Sequence, residues 1–292
     1  MKNIPLLRSK AILIVFISVA INILSSYQAF TQEYKIKTIV IDAGHGGKDG
    51  STRGLYSTEK DVALKTALNL GAAIEANMKD VKVIYTRTED VFIPLYERIA
   101  IANNAKADIF ISIHCNDMPV YRSTVVTGYR KNSRGKRIPV TKTVSRKSTS
   151  THGVETFVSG MGRVNEQDEA IKRENAAIFL EENYKENYEG FGDNESENAI
   201  ILSLMKNTFR TQSLRLARFV QTEYVNAGRL DRGVQEKSLA VLARAGMPAI
   251  LTEIGFISNP EEEDYMNSEE GQKEITGCLL KAIENYKKNV EG

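Results

Sequence analysis

Two imidazoles and two carboxylates stand where short apolar runs of this 292-residue chain meet polar segments. His45 follows Ile39-Val40-Ile41-Asp42, His114 ends Ile109-Phe110-Ile111-Ser112-Ile113, Glu253 ends Ile250-Leu251-Thr252, and Glu59 opens an apolar-periodic stretch. Two neutral imidazoles and one carboxylate suit a catalytic zinc that keeps an open position for water. They leave the ion net positive, enough to lower the pKa of a bound water toward ~7. A second carboxylate beside it, Glu253, would take a proton from that water and return it to a leaving amine. The same residue types are common at strand ends, so spacing alone leaves a zinc site and a packing role both open.

These groups act together only if the fold gathers them. Lys37 to Asp42, Asp108 to His114 and Ala249 to Glu253 each read as a buried strand, and Lys82 to Tyr85 as a fourth. Ala63, Ala67, Leu70 and Ile74 repeat at the spacing of one helix face, and Thr58 with Asp61 resembles a capping-box start to that helix. Leu95 to Ala105, Ser213 to Asn226 and Glu269 to Lys287 read as further helices. Strands alternating with helices predict an α/β fold, a mostly parallel central sheet flanked by helices. In such a sheet the crevice lies at the carboxyl ends of the strands. If the strands are parallel neighbours, His45, His114 and Glu253 share that rim, Glu59 leads from it, and Gly44, Gly46 and Gly47 let backbone approach closely.

The rhythm breaks from about Asp117 to Thr211. Asp117 to Ser150 holds nine Lys or Arg against the single acid Asp117, a net of +8, whereas Glu166 to Glu197 holds eleven acids against three cations, a net of −8. Between them Gly153 to Val158 reads as a short strand, and beyond it Asn175 to Tyr188 as a helix. The basic stretch is a solvated loop or a docking surface, for an anionic cell-envelope polymer or for the chain's own acidic stretch.

Composition sets the outer bounds. A chain 42% hydrophobic and 26% charged can bury a core, which excludes wholesale disorder and a disulfide miniprotein. A net charge of +2 gives no argument for nucleic acid. Residues 1 to 30 carry Lys2, Arg8 and Lys10 before an apolar run about half to three-quarters of a bilayer span, the pattern of a cleaved export signal or, failing cleavage, an anchor. Removing them takes the net charge to −1, and the membrane enters only through that segment. No wall-binding repeat is evident, which predicts a periplasmic protein. Cys115 and Cys278 lie in no metal-site spacing.

The stretches Ile39 to Asp49, Glu59-Lys60-Asp61, Ser112 to Asn116 and Thr252 to Asn259 together resemble the zinc-dependent N-acetylmuramoyl-L-alanine amidases, in particular the cell-separation and autolysin amidases. Thr86 to Asp90, Arg98 to Asn103 and Val154 to Phe157 are similar to that family too. The resemblance implies that residues 35–292 form the amidase catalytic domain, that His45, Glu59 and His114 hold Zn2+, and that Glu253 is the catalytic general acid/base. The implied reaction cleaves the amide between N-acetylmuramic acid and the L-alanine of the peptidoglycan stem, with zinc-bound water as nucleophile, in wall remodelling or cell division. It also implies a lid within the insertion at about 117–211. Residues 160–211 would lie across the crevice, Glu181 or Glu182 would inhibit by taking the open metal position, and an activator protein would relieve the block. Deleting residues 166 to 208 should then raise activity.

Other readings compete with this one. A catalytically inactive peptidoglycan-binding or regulatory module would keep the fold. A zinc carboxypeptidase needs a closer His and Glu pair than His45 and Glu59 offer. A cysteine hydrolase built on Cys115 would resist chelation and succumb to thiol reagents. Strand alternation sends the Cys115 side chain away from His114, toward the core; pairing with Cys278 is the other option. His152, in a polar run, reads as a solvated rim residue rather than a ligand.

Overall fold

The computed structural model describes residues 34–118, 120–160, 169–188 and 197–292. Residues 1–30, with the expected export signal, lie outside them. No helix among the described residues is long and apolar enough to cross a membrane.

In chain order the elements are β1 Thr38–Ala43, α1 Glu59–Asn77, β2 Lys82–Tyr85, α2 Leu95–Asn104, β3 Ile109–Asn116, β4 Val120–Lys131, β5 Arg137–Lys147 and β6 Val154–Ser159. Then come α3 Glu169–Asn175, a 3-10 turn at Ala176–Leu180, and α4 Tyr184–Asn187. The chain continues through α5 Glu197–Asn226, β7 Asp231–Lys237, β8 Ala249–Phe256, α6 Pro260–Asn267 and α7 Glu269–Glu291. One mixed sheet runs β2-β1-β3-β8-β6-β7, with every neighbouring pair parallel except β6 against β8.

Every residue of β3 and β8 is buried, as is β1 after Thr38. Unbroken apolar runs of this kind suit parallel strands covered on both faces. α1 packs across β1, β2 and β3, burying Val62, Ala63, Ala67, Leu70 and Ile74, and α5 packs on β6, β7 and β8. The helix face read from the sequence is therefore the face that meets the sheet. The Thr58 hydroxyl bonds the Asp61 carboxylate rather than a backbone amide, so the start of α1 rests on its backbone bonds and not on a capping box. At α6 the signals agree: the Asn259 side chain accepts from the Glu261 N–H at 2.9 Å, and Pro260 fills the first helical position.

The inserted region is the main departure from expectation. The basic stretch forms the two-stranded hairpin β4–β5, an antiparallel ladder outside the central sheet. The segment expected as a helix from Asn175 to Tyr188 is instead a 3-10 turn followed by the single turn α4; the longer helix α3 ends at Asn175. Ala177 and Ile178 of that turn enter the core beside Leu95, Ile99, Phe110 and Leu251, which seats the whole segment on the body.

Candidate metal centre

The register of the sheet brings the expected residues together. Ala43 pairs with Ile113, and His114 pairs with Glu253, so the end of β1, the end of β3 and the middle of β8 meet at one rim. Paired residues on adjacent strands share a face, which puts Glu253 beside His114. His45 lies two residues past β1 with φ 57°, a left-handed backbone that a non-glycine residue adopts at a cost. Arg98 secures it: fully buried, its guanidinium bonds the His45 carbonyl at 2.7 Å, the Ala43 carbonyl at 2.9 Å and the Asp42 carboxylate at 3.1 Å. Arg87 adds bonds to the Ala43, Gly44 and Lys60 carbonyls. Gly44 is required for space, because a Cβ there would stand 2.5 Å from the His114 ring.

Four potential ligand atoms, one each from His45, Glu59, His114 and Glu174, lie within 4.8 Å of one another and all four residues are buried. Glu59 Oε1 is 3.2 Å from His45 Nε2 and 3.0 Å from His114 Nδ1; Glu174 Oε2 is 3.3 Å and 2.9 Å from the same nitrogens. A tetrahedral zinc with ligands at about 2.0–2.1 Å would separate its donors by roughly 3.3 Å. His45 Nε2 and Glu174 Oε2 have no hydrogen-bond partner despite these short contacts. Donors crowded to this spacing and buried, two of the four without a hydrogen bond, fit a bound divalent cation.

The surrounding contacts prepare each donor. Asp49 Oδ2 lies 2.8 Å from His45 Nδ1, which leaves Nε2 facing the cluster. Glu59 Oε2 accepts from the Thr52 hydroxyl at 2.6 Å, and Oε1 from the Cys115 N–H at 3.1 Å. Burial lowers the proton affinity of both imidazoles, but the adjoining carboxylates outweigh it. Glu59, Asp49 and Glu174 raise His45 well above the usual imidazole range, and Glu174 with Glu59 raises His114 to about 9. Burial pushes Glu174 up, yet His114 and Arg173 bring it well below the ordinary carboxylate value.

Glu253 is fully buried and neither carboxyl oxygen has a hydrogen-bond partner. Burial and the neighbouring Glu174 charge push its proton affinity well above the usual range. Arg173 approaches it at 3.7 Å while donating to Glu174 Oε1 at 2.9 Å, so α3 addresses both the cluster and Glu253. A cavity of about 320 Å³ borders Arg173, lined by Asn116, Asp117, Met118, Glu169, Arg232 and Phe256 among others.

Glu174 is the cluster member that the sequence reading missed. Glu181 accepts from the Leu95 N–H at 2.7 Å and the Tyr188 hydroxyl at 2.8 Å, at the start of α2, and Glu182 is exposed. Neither belongs to the cluster. His152 is exposed and bonds the Ser150 carbonyl. Cys115 is buried, its thiol pushed well up by burial and nearby carboxylates, and both cysteines are free, so the disulfide does not form.

Residues 39–285 match the family described as N-acetylmuramoyl-L-alanine amidase. The chain belongs to that family. The amidase AmiC of Escherichia coli O6:H1 is 28% identical over 250 residues, covering 85% of this chain and 52% of that protein. AmiC of Neisseria meningitidis serogroup B is 30% identical over 259 residues, with 85% and 52% covered. The chain therefore spans about half the length of these curated relatives. Among solved structures, an N-acetylmuramoyl-L-alanine amidase from Clostridium difficile 630 aligns with a TM-score of 0.56 and 26% identity, covering 87% of this chain and 97% of that one. AmiC2 of Nostoc punctiforme shares the fold, with a TM-score of 0.55 at 22% identity over 86% of this chain and 96% of its own. The expected family and the α/β fold class are both found.

Proposed function

We propose that this chain is a zinc-dependent peptidoglycan hydrolase that cleaves the amide between N-acetylmuramic acid and L-alanine. It acts outside the cytoplasmic membrane, in the periplasm, in wall remodelling or daughter-cell separation. The observation that carries the reading is the buried four-donor cluster with a carboxyl that makes no hydrogen bond, Glu253, on the same face of the sheet. His45, Glu59 and His114 would hold the metal. When bound, zinc supplies Lewis-acid polarisation and acidifies water. Glu253 takes a proton from the attacking water and gives it to the departing alanine nitrogen; its oxygens carry no hydrogen bond, and burial raises its hold on the proton it must carry. Asp49 holds the His45 ring in the tautomer that presents Nε2.

A catalytic zinc site keeps three protein ligands and one open position, whereas four protein ligands make a closed, structural site. Here the fourth donor comes from α3 within the insertion, and its neighbour Arg173 engages Glu253. We read α3 as a plug that holds the enzyme at rest until a partner protein draws the segment away. The closed donor set also favours a second reading, a catalytically inactive wall-binding module.

The deciding experiment incubates zinc-loaded residues 31–292 with purified sacculi and looks by mass spectrometry for stems with a newly free L-alanine amino group. Slow release from the resting chain, faster in Glu174→Ala and abolished by Glu253→Ala, is the expected result. If Glu174→Ala, folded and loaded with zinc, also releases nothing, the inactive module replaces the hydrolase. The 166 to 208 deletion is a poorer test, because it cuts into α5.

A further inference from the structure

The hairpin β4–β5 is not used by the metal centre, yet it springs from its rim. β3 carries His114 and ends at Asn116; Asn116, Asp117 and Met118 line the cavity beside Arg173, and β4 begins at Val120. Among the described residues the two strands pack on each other and extensively on no other element. Their eleven-rung ladder from Val120↔Lys147 to Lys131↔Arg137 spans about 35 Å at the usual rise of an antiparallel strand. A two-stranded ribbon with no extensive cover from the described sheet and helices is marginal on its own, which raises the question of what it meets.

Its far end is strongly cationic. Arg130, Lys131, Arg134, Lys136 and Arg137 cluster around the turn, all exposed, with Lys142 exposed further along β5. The chain has no acid between Asp117 and Glu155. No ion pair joins any of these six cations to a described carboxylate, including the described acids of the −8 stretch. Arg137 lies over the ring of Tyr129, which is 57% exposed, so the tip also offers an aromatic face. The cations are not confined to one side: pairing places Lys131 and Arg137 on one face and Arg130 and Lys142 on the other. A planar membrane would meet one face or the turn alone, whereas a flexible polymer with charges along its length meets both faces.

We propose that the β4–β5 hairpin is a docking arm for the carboxylates of peptidoglycan stem peptides, holding the polymer at the end of an arm that springs from the rim of the cleft. This rests on the hydrolase reading for its substrate, but it is a statement about binding and is tested as one. Each exposed cation–carboxylate contact contributes about twofold to affinity, so the five at the tip contribute about 30-fold together.

The test is co-sedimentation of the zinc-loaded full chain with purified sacculi, in a Glu253→Gln background so that nothing is cut. R130Q/K131Q/R134Q/K136Q/R137Q should raise the dissociation constant about 30-fold and R134Q/K136Q about fourfold. The second variant changes only the turn and guards against loss of the hairpin itself. Sacculi whose carboxylates have been amidated should bind the unsubstituted chain as weakly as native sacculi bind the fivefold variant. With Glu253 restored, cleavage of a small soluble muramoyl peptide should be unchanged by the tip substitutions. Equal sacculus binding by the unsubstituted and fivefold proteins would overturn the proposal. So would tip-dependent binding to phosphatidylglycerol vesicles with sacculus binding unaffected, which would make the hairpin a lipid-docking element. Tip-dependent binding by a chain that cuts neither substrate even as zinc-loaded Glu174→Ala would leave the docking arm standing and remove the hydrolase reading instead.

Discussion

Replacing Glu174 by alanine separates a plug from a permanent ligand. Across the closed interface, Glu174 Oε2 meets His114 Nδ1 at 2.9 Å and His45 Nε2 at 3.3 Å, while its contact with Arg173 lies within α3 and survives opening. Glu174 Oε2 makes no hydrogen bond, so opening loses the attraction of one buried carboxylate for a cationic centre, net of its desolvation, on the order of 1.5–3 kcal/mol. The rest of the segment stays seated: Ile171 and Ile178 are buried, at roughly 1.5–3 kcal/mol for each apolar side chain, and the Asn175 side chain bonds the Ser238 carbonyl and the Ala240 N–H at 2.9 Å each. Glu174→Ala therefore shifts the closed-to-open balance without ejecting the helix. At a factor of ten per 1.4 kcal/mol, the resting rate should rise about 10- to 100-fold. The assay is the initial rate of L-alanine amino-terminus release from a soluble muramoyl peptide, normalised to zinc content. A zinc-replete variant no faster than the parent would refute the plug and make Glu174 an ordinary fourth ligand.

Three further outcomes follow from the same geometry. Chelation should abolish cleavage and added zinc restore it, while thiol-blocking reagents leave the rate unchanged because Cys115 is buried and Cys278 is 8% exposed; inactivation by such a reagent would revive the cysteine hydrolase. Glu263 accepts from the Leu55, Tyr56 and Ser57 N–H groups and the Ser57 hydroxyl, at 2.7 to 3.0 Å, fixing the loop that leads into Glu59. Glu263→Ala should cost about 2–4 kcal/mol in chemical unfolding and weaken zinc retention; a change within about 0.5 kcal/mol would show that the loop holds without it. In acid, Asp42 and Glu263 should both weaken the fold. Burial raises each carboxyl, but Arg98, Ser112 and Thr86 outweigh it at Asp42 and the loop amides at Glu263, so both titrate below their ordinary values. Their stabilisation is complete above the unfolded range of about 3.9–4.3 and is lost as pH falls through it toward the folded values. Urea midpoints followed downward from about pH 5 should therefore drop, and less steeply in Asp42→Asn; parallel curves would contradict the assignment.

His45, Glu59, His114 and Glu253 were readable because each sits where a buried apolar run ends or a helix begins, and strand register does the rest. Burial on both faces makes such runs conspicuous, which is why β1, β3 and β8 were anticipated within a few residues. Glu174 had no comparable signal. It is one of eleven acids between Glu166 and Glu197, and what distinguishes it is tertiary: Ile171 before it is buried, and Ala177 and Ile178 after it join the core of the body. Those flanking apolar residues were the available clue, and a regular helix over Asn175 to Tyr188 was the wrong frame for them. The hairpin was missed as a structure for a related reason. Its Val and Thr residues suit a strand, but the cations scattered through both faces erase the clean alternation that a half-buried strand displays. β7 is likewise a short, half-exposed strand, Asp231–Lys237, whose polar sequence carries little pattern.

The division of the donor set between three residues of the sheet body and one from α3 couples two equilibria. If α3 closes more tightly over a loaded centre than over an empty one, reciprocity requires that closure tighten metal retention by the same factor. An activator that pulls α3 away would then loosen the cofactor as it frees the substrate position. Turnover in a metal-poor compartment would be self-limiting, each opening risking loss of the ion, and the latch that silences the protein would also serve as its means of hoarding metal.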